Sequence, residues 1–165
     1  MPTKNPHNSI LNFTQTKDNE ICYLEEDLHK YIINFYDLNE RKIQSSFSIS
    51  VGSYMLGVFN MVNKDLLIIG ECFRIAVTDV NKYLLLKIII IRDSNFFFSL
   101  CIINKNMFII GDDRGKIIQW RICGNNINLI SEKKNAHSSR INSLLAIGDG
   151  KIISSSNKSI KIWSK

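Results

Sequence analysis

The sequence predicts an all-β fold in which about four copies of one four-stranded antiparallel unit stack side by side. The first observation is a repeat, because an apolar run that ends at Tyr36, Thr78, Trp120 or Trp163 recurs at intervals of 42, 42 and 43 residues. A period of ~40–45 residues is that of a four-stranded propeller blade. The second observation is that no segment has the sustained apolar spacing of an amphipathic helix. Together they predict a β-propeller-type array.

A third observation is that several predicted strands are apolar on both faces, as in LLIIG at 66–70 and MFIIG at 107–111. A sheet with one face in water would alternate polar and apolar residues. A blade that lies between two other blades buries both of its faces. The pattern therefore favours stacked blades over a simple sandwich.

The first two predicted blades, residues 8–50 and 53–92, each contain four runs rich in β-branched or aromatic residues. The predicted strands of the first are Ile10–Thr14, Ile21–Leu24, Tyr31–Leu38 and Ile43–Ile49. Those of the second are Leu56–Met61, Leu66–Gly70, Arg74–Val80 and Tyr83–Ile91.

The third predicted blade, residues 95–134, repeats this order, and the fourth, residues 137–165, has three strands instead of four. The third contains Phe96–Ile103, Met107–Gly111, Lys116–Ile122 and Asn126–Ser131, with a turn at Asp112–Gly115. The fourth contains Ile141–Ile147, Lys151–Ser156 and Ser159–Ser164, with turns at Gly148–Gly150 and Asn157-Lys158. All four blades form one predicted domain, 1–165.

The fourth blade therefore lacks its outer strand, and the N-terminal segment is a poor substitute. Pro2 and Pro6 lie there, and proline has no N–H for strand pairing. We therefore expect an array that is not a complete ring in its usual form. Three alternatives stay open: it closes tightly on itself, it pairs with another chain, or it is a fragment of a larger propeller.

The last unit, AHSSRINSLLAIGDGKIISSSNKSIKIWSK, resembles the repeat of the WD-repeat β-propeller family over nearly its whole length. His137 stands at the family histidine and Trp163 at the family tryptophan. In that family these residues form a structural hydrogen-bond network with a second-strand serine or threonine and a turn aspartate. The resemblance gives the serine position to Ser154 or Ser155, and Asn157 is the nearest candidate for the aspartate.

The earlier units keep fewer of the repeat residues. The third keeps Trp120 in GDDRGKIIQW, the first keeps Tyr36-Asp37, and the second keeps Thr78-Asp79. The resemblance thus covers most of the chain and is strongest in its second half.

The resemblance implies a non-catalytic protein-interaction scaffold or adaptor, since family members commonly bind peptides or other domains through their loops. The candidate partner-binding loop residues are Glu71, Asp112, Asp113, Arg114, Arg140 and Lys158, together with His137. Two alternatives stay open: an RNA- or DNA-associated module that uses the basic last blade, and an accessory or adaptor subunit of a larger enzyme complex.

The formal net charge of +6 is unevenly distributed. Acidic residues crowd the first blade, at Asp18, Glu20, Glu25, Glu26 and Asp27. Basic residues dominate the end, at Lys133, Lys134, Arg140, Lys151, Lys158, Lys161 and Lys165. Opposite charges attract across an interface. We therefore hypothesise head-to-tail self-association of two chains that completes one ring.

Residue patterns for chemistry are missing from the sequence. His7, His29 and His137 are scattered, with no zinc-ligand spacing, and GDDRGK at 111–116 leads into a predicted strand rather than the helix a phosphate loop needs. Ser154–Ser156 lacks the surroundings of a nucleophile. We predict no enzyme activity, no metal and no cofactor.

The four cysteines, Cys22, Cys72, Cys101 and Cys123, have no CxxC spacing and are expected to be free thiols in a reducing compartment. The first twenty residues have no apolar signal segment, and the longest apolar run is shorter than the ~20 residues of a membrane helix. We predict a cytoplasmic protein, with the nucleus as the alternative.

Overall fold

In the described part of the chain, the regular structure consists of fifteen antiparallel strands in four sheets. The computed structural model describes residues 9–27, 30–50, 58–63, 66–71, 74–90, 96–124, 126–147 and 150–164. The first sheet contains β1 (Ser9–Lys17), β2 (Glu20–Asp27), β3 (Lys30–Asp37) and β4 (Lys42–Ser50). The second contains β5 (Val58–Asn63), β6 (Leu66–Glu71), β7 (Arg74–Asp79) and β8 (Leu84–Ile90).

The third sheet has four strands and the fourth has three. The third contains β9 (Phe97–Asn104), β10 (Met107–Asp112), β11 (Ile117–Cys123) and β12 (Asn126–Lys133). The fourth contains β13 (Ile141–Ile147), β14 (Lys151–Ser156) and β15 (Ile160–Trp163). In every sheet the strands lie in chain order, so each one is a meander.

The first strand of each sheet lies on the inside of the array, because β1 contacts β5, β5 contacts β9 and β9 contacts β13. The sheets therefore radiate like propeller blades, and the ring is not closed. This confirms the predicted fold class.

Three hydrophobic clusters hold neighbouring sheets together. Phe35 and Ile33 of the first sheet pack with Ala76 of the second. The second and third sheets share a cluster that contains Val77 and Phe108. The third and fourth share one that includes Cys101, Ile109, Ile117, Ile141 and Leu144. These clusters explain why the sequence lacks clean polar alternation.

Strand ends differ from the predicted ones where backbone pairing extends beyond the apolar run. β1 continues to Lys17, which pairs with Glu20 across the first hairpin, although the apolar pattern ends earlier. Asp112 is the last residue of β10, so the following turn begins one residue later than predicted. Residues 148 and 149 of the predicted Gly148–Gly150 turn lie outside the described residues, and Gly150 has a φ of 71°. The predicted blade limits stay a prediction.

Candidate interaction surfaces

The β10–β11 turn packs against segment 134–140, which leads from β12 into β13. Gly115 has a φ of 79°, and its carbonyl accepts the backbone N–H of His137 at 3.0 Å. A Cβ atom at Gly115 would overlap the backbone carbonyl oxygens of His137 and Ser139. The close approach of the two loops therefore requires glycine.

Asp112 is fully buried beneath the β10–β11 turn and stabilises it through hydrogen bonds to its backbone. Its Oδ1 accepts the backbone N–H groups of Arg114 at 3.0 Å and Lys116 at 2.7 Å. Its Oδ2 has no hydrogen-bond partner among the described residues. Burial raises the pKa of Asp112, against the smaller lowering effects of those two N–H groups and the Lys116 charge.

The buried imidazole of His137 joins segment 134–140 to β14 and to the β14–β15 turn. Its Nε2 lies 2.7 Å from Oγ of Ser154, and its Nδ1 lies 2.9 Å from Oγ of Ser159. The indole N–H of Trp163 donates to the same Ser154 oxygen at 2.7 Å. A neutral imidazole satisfies both contacts, since one ring nitrogen donates and the other accepts. Burial, and then the charge of Lys161, lower the pKa of His137 below 6.5.

The second-strand serine of the hydrogen-bond network is Ser154 rather than Ser155, because Ser154 faces the third sheet and is fully buried. The residue of the β14–β15 turn that contacts the imidazole is Ser159, which the sequence does not predict as a network residue. Asn157, the expected turn residue, instead accepts the Asn142 side-chain N–H at 2.6 Å. The backbone N–H of Ser156 donates to the Ser159 carbonyl, and this tight turn brings the Ser159 hydroxyl back to the imidazole.

The equivalent positions in earlier sheets have different surroundings. Trp120 is buried and stacks on Phe108, with 6.5 Å between ring centroids, and its indole nitrogen has no hydrogen-bond partner among the described residues. Thr78 is fully buried in the second sheet. Both residues act in this structure through packing rather than through a histidine network.

Asp37 and Asp79 have the same role in two successive sheets. Oδ1 of Asp37 accepts the backbone N–H groups of the residues two and three positions further on, at 2.7 and 2.9 Å. Oδ1 of Asp79 does the same at 2.9 and 3.0 Å. Each carboxylate therefore fixes the turn that follows its strand. The half-buried Tyr36 precedes the first of these turns.

The topology places the predicted partner-binding residues along one edge of the array, at β10–β11, β12–β13, β14–β15 and β6–β7. Arg140 donates from Nε to Asn142 at 2.8 Å, and its guanidinium carbon lies 4.5 Å from the ring centroid of Phe98. Lys158 is exposed at the tip of the β14–β15 turn, whereas the side chain of Glu71 lies outside the described part of the chain. Asp112 and His137 are buried and bonded within the protein, so neither presents a surface to a partner. Partner binding by the other residues stays a prediction.

Asp113 and Arg114 lie next to each other in the β10–β11 turn. The Asp113 carboxylate accepts the Phe96 backbone N–H at 3.4 Å, whereas the Arg114 side chain is exposed. Together with Lys116, Lys134 and the backbone turn, Arg114 surrounds a shallow depression above Asp112.

One face of the first sheet, here called the first end face, points away from the second sheet. Three cross-strand rows form it: Ile10–Glu25–Ile32–Ser48, Phe13–Tyr23–Asn34–Ser46 and Gln15–Ile21–Tyr36–Ile43. Phe13 is 70% exposed and Ile43 is 49% exposed. No side chain in these rows belongs to the hydrophobic clusters of the described residues.

The fourth sheet has a matching face, here called the last end face, that points away from the third sheet. Its rows are Ser143–Ser155–Ile160, Leu145–Ile153–Ile162 and Ile147–Lys151. Leu145, Ile160 and Ile162 are 55%, 74% and 65% exposed. The array therefore has, at each end, a sheet face that exposes large apolar side chains among polar ones.

Few of the charges that distinguish the first and last blades lie on these end faces. Glu20 is buried between the first two sheets, where it accepts hydrogen bonds from Thr16 at 2.6 Å and Tyr83 at 2.9 Å. Lys161 faces the third sheet and donates to the Ala136 carbonyl at 2.6 Å. On the end faces, the described charged groups are Glu25 and Lys30 on the first, where Lys30 lies on the same side of β3 as Ile32, and Lys151 on the last.

Across the described residues, no group of three or more histidine, cysteine or acidic side chains is arranged to hold a metal ion. Within the same residues, no helix has the length and apolar character needed to cross a membrane. Cys22 and Cys101 are buried free thiols and Cys123 is an exposed one, while Cys72 lies outside the described residues.

The fold is similar to that of the solved structure of U3-55K, a WD40 β-propeller protein, with a TM-score of 0.74 and 11% sequence identity. The alignment covers 96% of this chain and 52% of that one, so the chain spans about half the length of the structure it matches. No known family and no curated protein matches the sequence. At this identity the similarity shows the fold alone, which is WD-repeat propeller-like.

Proposed function

We propose that this protein is a non-catalytic protein-interaction scaffold of the WD-repeat type. The observation that carries the proposal is the pair of end faces, which expose large apolar side chains in cross-strand rows with few charges. Apolar surfaces of this kind are typical of protein interfaces. The exposed loop residues along one edge, Arg114, Arg140 and Lys158, are a second surface through which the scaffold contacts other proteins.

The size of an end face supports burial by protein. Four strands spaced ~4.8 Å apart, each of ~6 residues at ~3.3 Å, present roughly 400 Å². This equals the largest apolar patch of a typical monomer. At ~25 cal/mol per Å², covering a wholly apolar face contributes at most roughly 10 kcal/mol before opposing costs.

A second copy of the chain is the partner that we propose for the end faces. Two open arrays that meet head to tail make two identical contacts, which bury roughly 1,600 Å² in total, the size of a standard interface. Eight sheets fall within the ~4–8 blades of known propellers. Glu25 on the first end face and Lys151 on the last have opposite charges, and Lys30 adds one positive charge to the first face. The contact is heterologous and closes on itself.

The proposal is tested by light scattering after size exclusion, with the protein at micromolar concentration. We expect a dimer mass for the wild type. Ile43→Lys on the first end face and Leu145→Lys on the last each place a charge in the contact. Each should weaken association at least roughly tenfold, since burying an unpaired ammonium is costly. Both positions are exposed in the monomer, so folding is retained.

Ile130→Lys is the matched control, because Ile130 is an exposed apolar residue on neither end face. It should leave the mass unchanged. A monomer mass at both low and high salt would exclude self-association. Affinity capture that retains no protein, either on the end faces or on the loop residues along one edge, would exclude the scaffold function. Salt-dependent binding of a generic RNA without any protein partner would favour the nucleic-acid alternative.

A further inference from the structure

The outer edge of β15 has no pairing strand among the described residues. In the other three sheets the third strand pairs on both sides, with β4, β8 or β12 on its outer side. β15 pairs with β14 alone. It therefore presents a row of backbone N–H and C=O groups to which an extended segment can pair.

A cavity of about 220 Å³ lies beside this edge, between the third and fourth sheets. Ile109 and Ile117 line it from the third sheet, and Ile152 and Trp163 line it from the fourth. Gln119 and Ser131 lie at its polar side. The space is thus mainly apolar and can receive one apolar side chain from a segment that lies along β15.

Equivalent positions in the complete sheets show how such a side chain packs. On β8, Leu85 lies opposite Thr78 and packs into the cluster between the first two sheets. On β12, Ile127 lies opposite Ile122 and packs into the cluster between the second and third sheets. Each outer strand therefore supplies an apolar side chain to the space between two sheets. The cavity beside Trp163 corresponds to the space that a fourth strand would fill.

The rim of the cavity is basic. The Lys133 ammonium lies 4.5 Å from the centroid of the Trp163 ring, and that of Lys161 lies 5.7 Å from it. Both cations are positioned to attract an acidic residue next to an inserted apolar side chain. β12 itself has an apolar side chain that packs between sheets, Ile127, and an acidic residue, Glu132, five positions further along NINLISEK.

We infer that β15 binds an extended segment of a partner protein as an outer strand, with an apolar anchor in the cavity and an acidic residue at the lysine rim. The inference rests on the proposed scaffold function but uses a surface distinct from both end faces. Backbone pairing supplies general affinity, while the cavity and the lysines select the segment.

The probe is a synthetic peptide with the sequence NINLISEK of β12, which already pairs with the equivalent strand β11. Titration into the full chain should shift the backbone amide resonances of residues 160–163. Two further peptides carry N-methyl groups on alternate residues: one peptide is methylated at its odd-numbered positions and the other at its even-numbered positions. Because alternate N–H groups of an edge-paired strand point to its partner, one methylated peptide should lose binding at least tenfold and the other should bind normally.

Ser131→Phe is the protein variant, since it fills the cavity from an exposed position without altering β15. It should weaken peptide binding at least tenfold, whereas Ile130→Phe, the neighbouring control, should not. Equal loss with both methylated peptides, or full binding to Ser131→Phe, would overturn the inference. If peptide binding fails while light scattering still reports end-face association, the inference alone is rejected. If the peptide does not bind and light scattering reports no end-face association, the scaffold function is rejected as well.

Discussion

The imidazole Nε2 of His137 lies 2.7 Å from Oγ of Ser154 inside the fourth sheet, and this contact links segment 134–140 to β14. Ser154 also accepts the Trp163 indole N–H at 2.7 Å. The imidazole thus bridges a loop, a central strand and an edge strand. Removing any of these groups leaves buried polar atoms without partners, which is costly in a low-dielectric interior.

The first prediction concerns the stability of this network. His137→Ala removes both imidazole contacts and leaves a cavity beside Ser154. We expect the free energy of unfolding to fall by about 2 kcal/mol, measured by urea denaturation. Ser138→Ala, at an exposed adjacent position, is the control and should change little. Equal stability of the His137 variant and wild type would show that the network does not stabilise the fold.

The second prediction is a pH dependence with a defined sign. The pKa of His137 is lowered in the folded state, so the unfolded chain binds a proton more readily. Its contribution to stability is complete above pH 6.5 and is lost as the pH falls through the lowered folded value. His137→Gln should flatten the stability profile between about pH 7 and pH 5. A profile unchanged by this substitution would assign the pH dependence to other groups.

The network could be predicted in part from sequence. His137 and Trp163 are predicted because the last unit resembles a known repeat, and the apolar runs identify the strands of the second and third sheets because each of these sheets lies between two others. Ser159 was not found, because the choice among the residues of the β14–β15 turn depends on how that turn closes. Its backbone hydrogen bond between Ser156 and Ser159 has no sequence signal of its own.

The third prediction compares the stability cost of alanine at two glycines with positive φ angles, 79° at Gly115 and 57° at Gly124. Gly124→Ala should cost about 1 kcal/mol, because the added Cβ meets open space and only backbone strain remains. Gly115→Ala adds a collision with the backbone of His137 and Ser139 and should cost at least about 2 kcal/mol more. Similar melting temperatures for the two variants would contradict the close packing of the loops.

The charge distribution of the end faces was less predictable than their apolar character. The sequence places acidic residues in the first blade and basic residues in the last. Local partners bind several of them, as Tyr83 binds Glu20 and the Ala136 carbonyl binds Lys161. Sequence position does not reveal these pairings. Head-to-tail association should therefore depend on salt less than the sequence suggests, because apolar contacts dominate.

The fourth prediction concerns Asp112, whose two carboxylate oxygens have different surroundings. Asp112→Ala removes the acceptor of two backbone N–H groups and should lower the free energy of unfolding by about 1–3 kcal/mol. Asp112→Asn keeps that acceptor and removes a buried charge. The pKa of Asp112 is raised in the folded state. Its protonated form therefore contributes to stability at low pH, and this contribution is lost as the pH rises through the folded-state pKa. The asparagine variant should thus equal or exceed wild-type stability at pH 7. A loss as large as that of the alanine variant would show that the charge stabilises the turn.

The last prediction ranks the thiols. Burial, with a smaller effect from Glu20, raises the pKa of Cys22 to about 12, and burial also raises the pKa of Cys101. Cys123 is exposed. In a Cys72→Ser background, a thiol reagent at pH 8 should modify Cys123 first, because the thiolate is the reactive form. The control carries Cys123→Ser as well and should react only as the protein unfolds. Fast modification of Cys22 in that control would contradict the packing between the first two sheets.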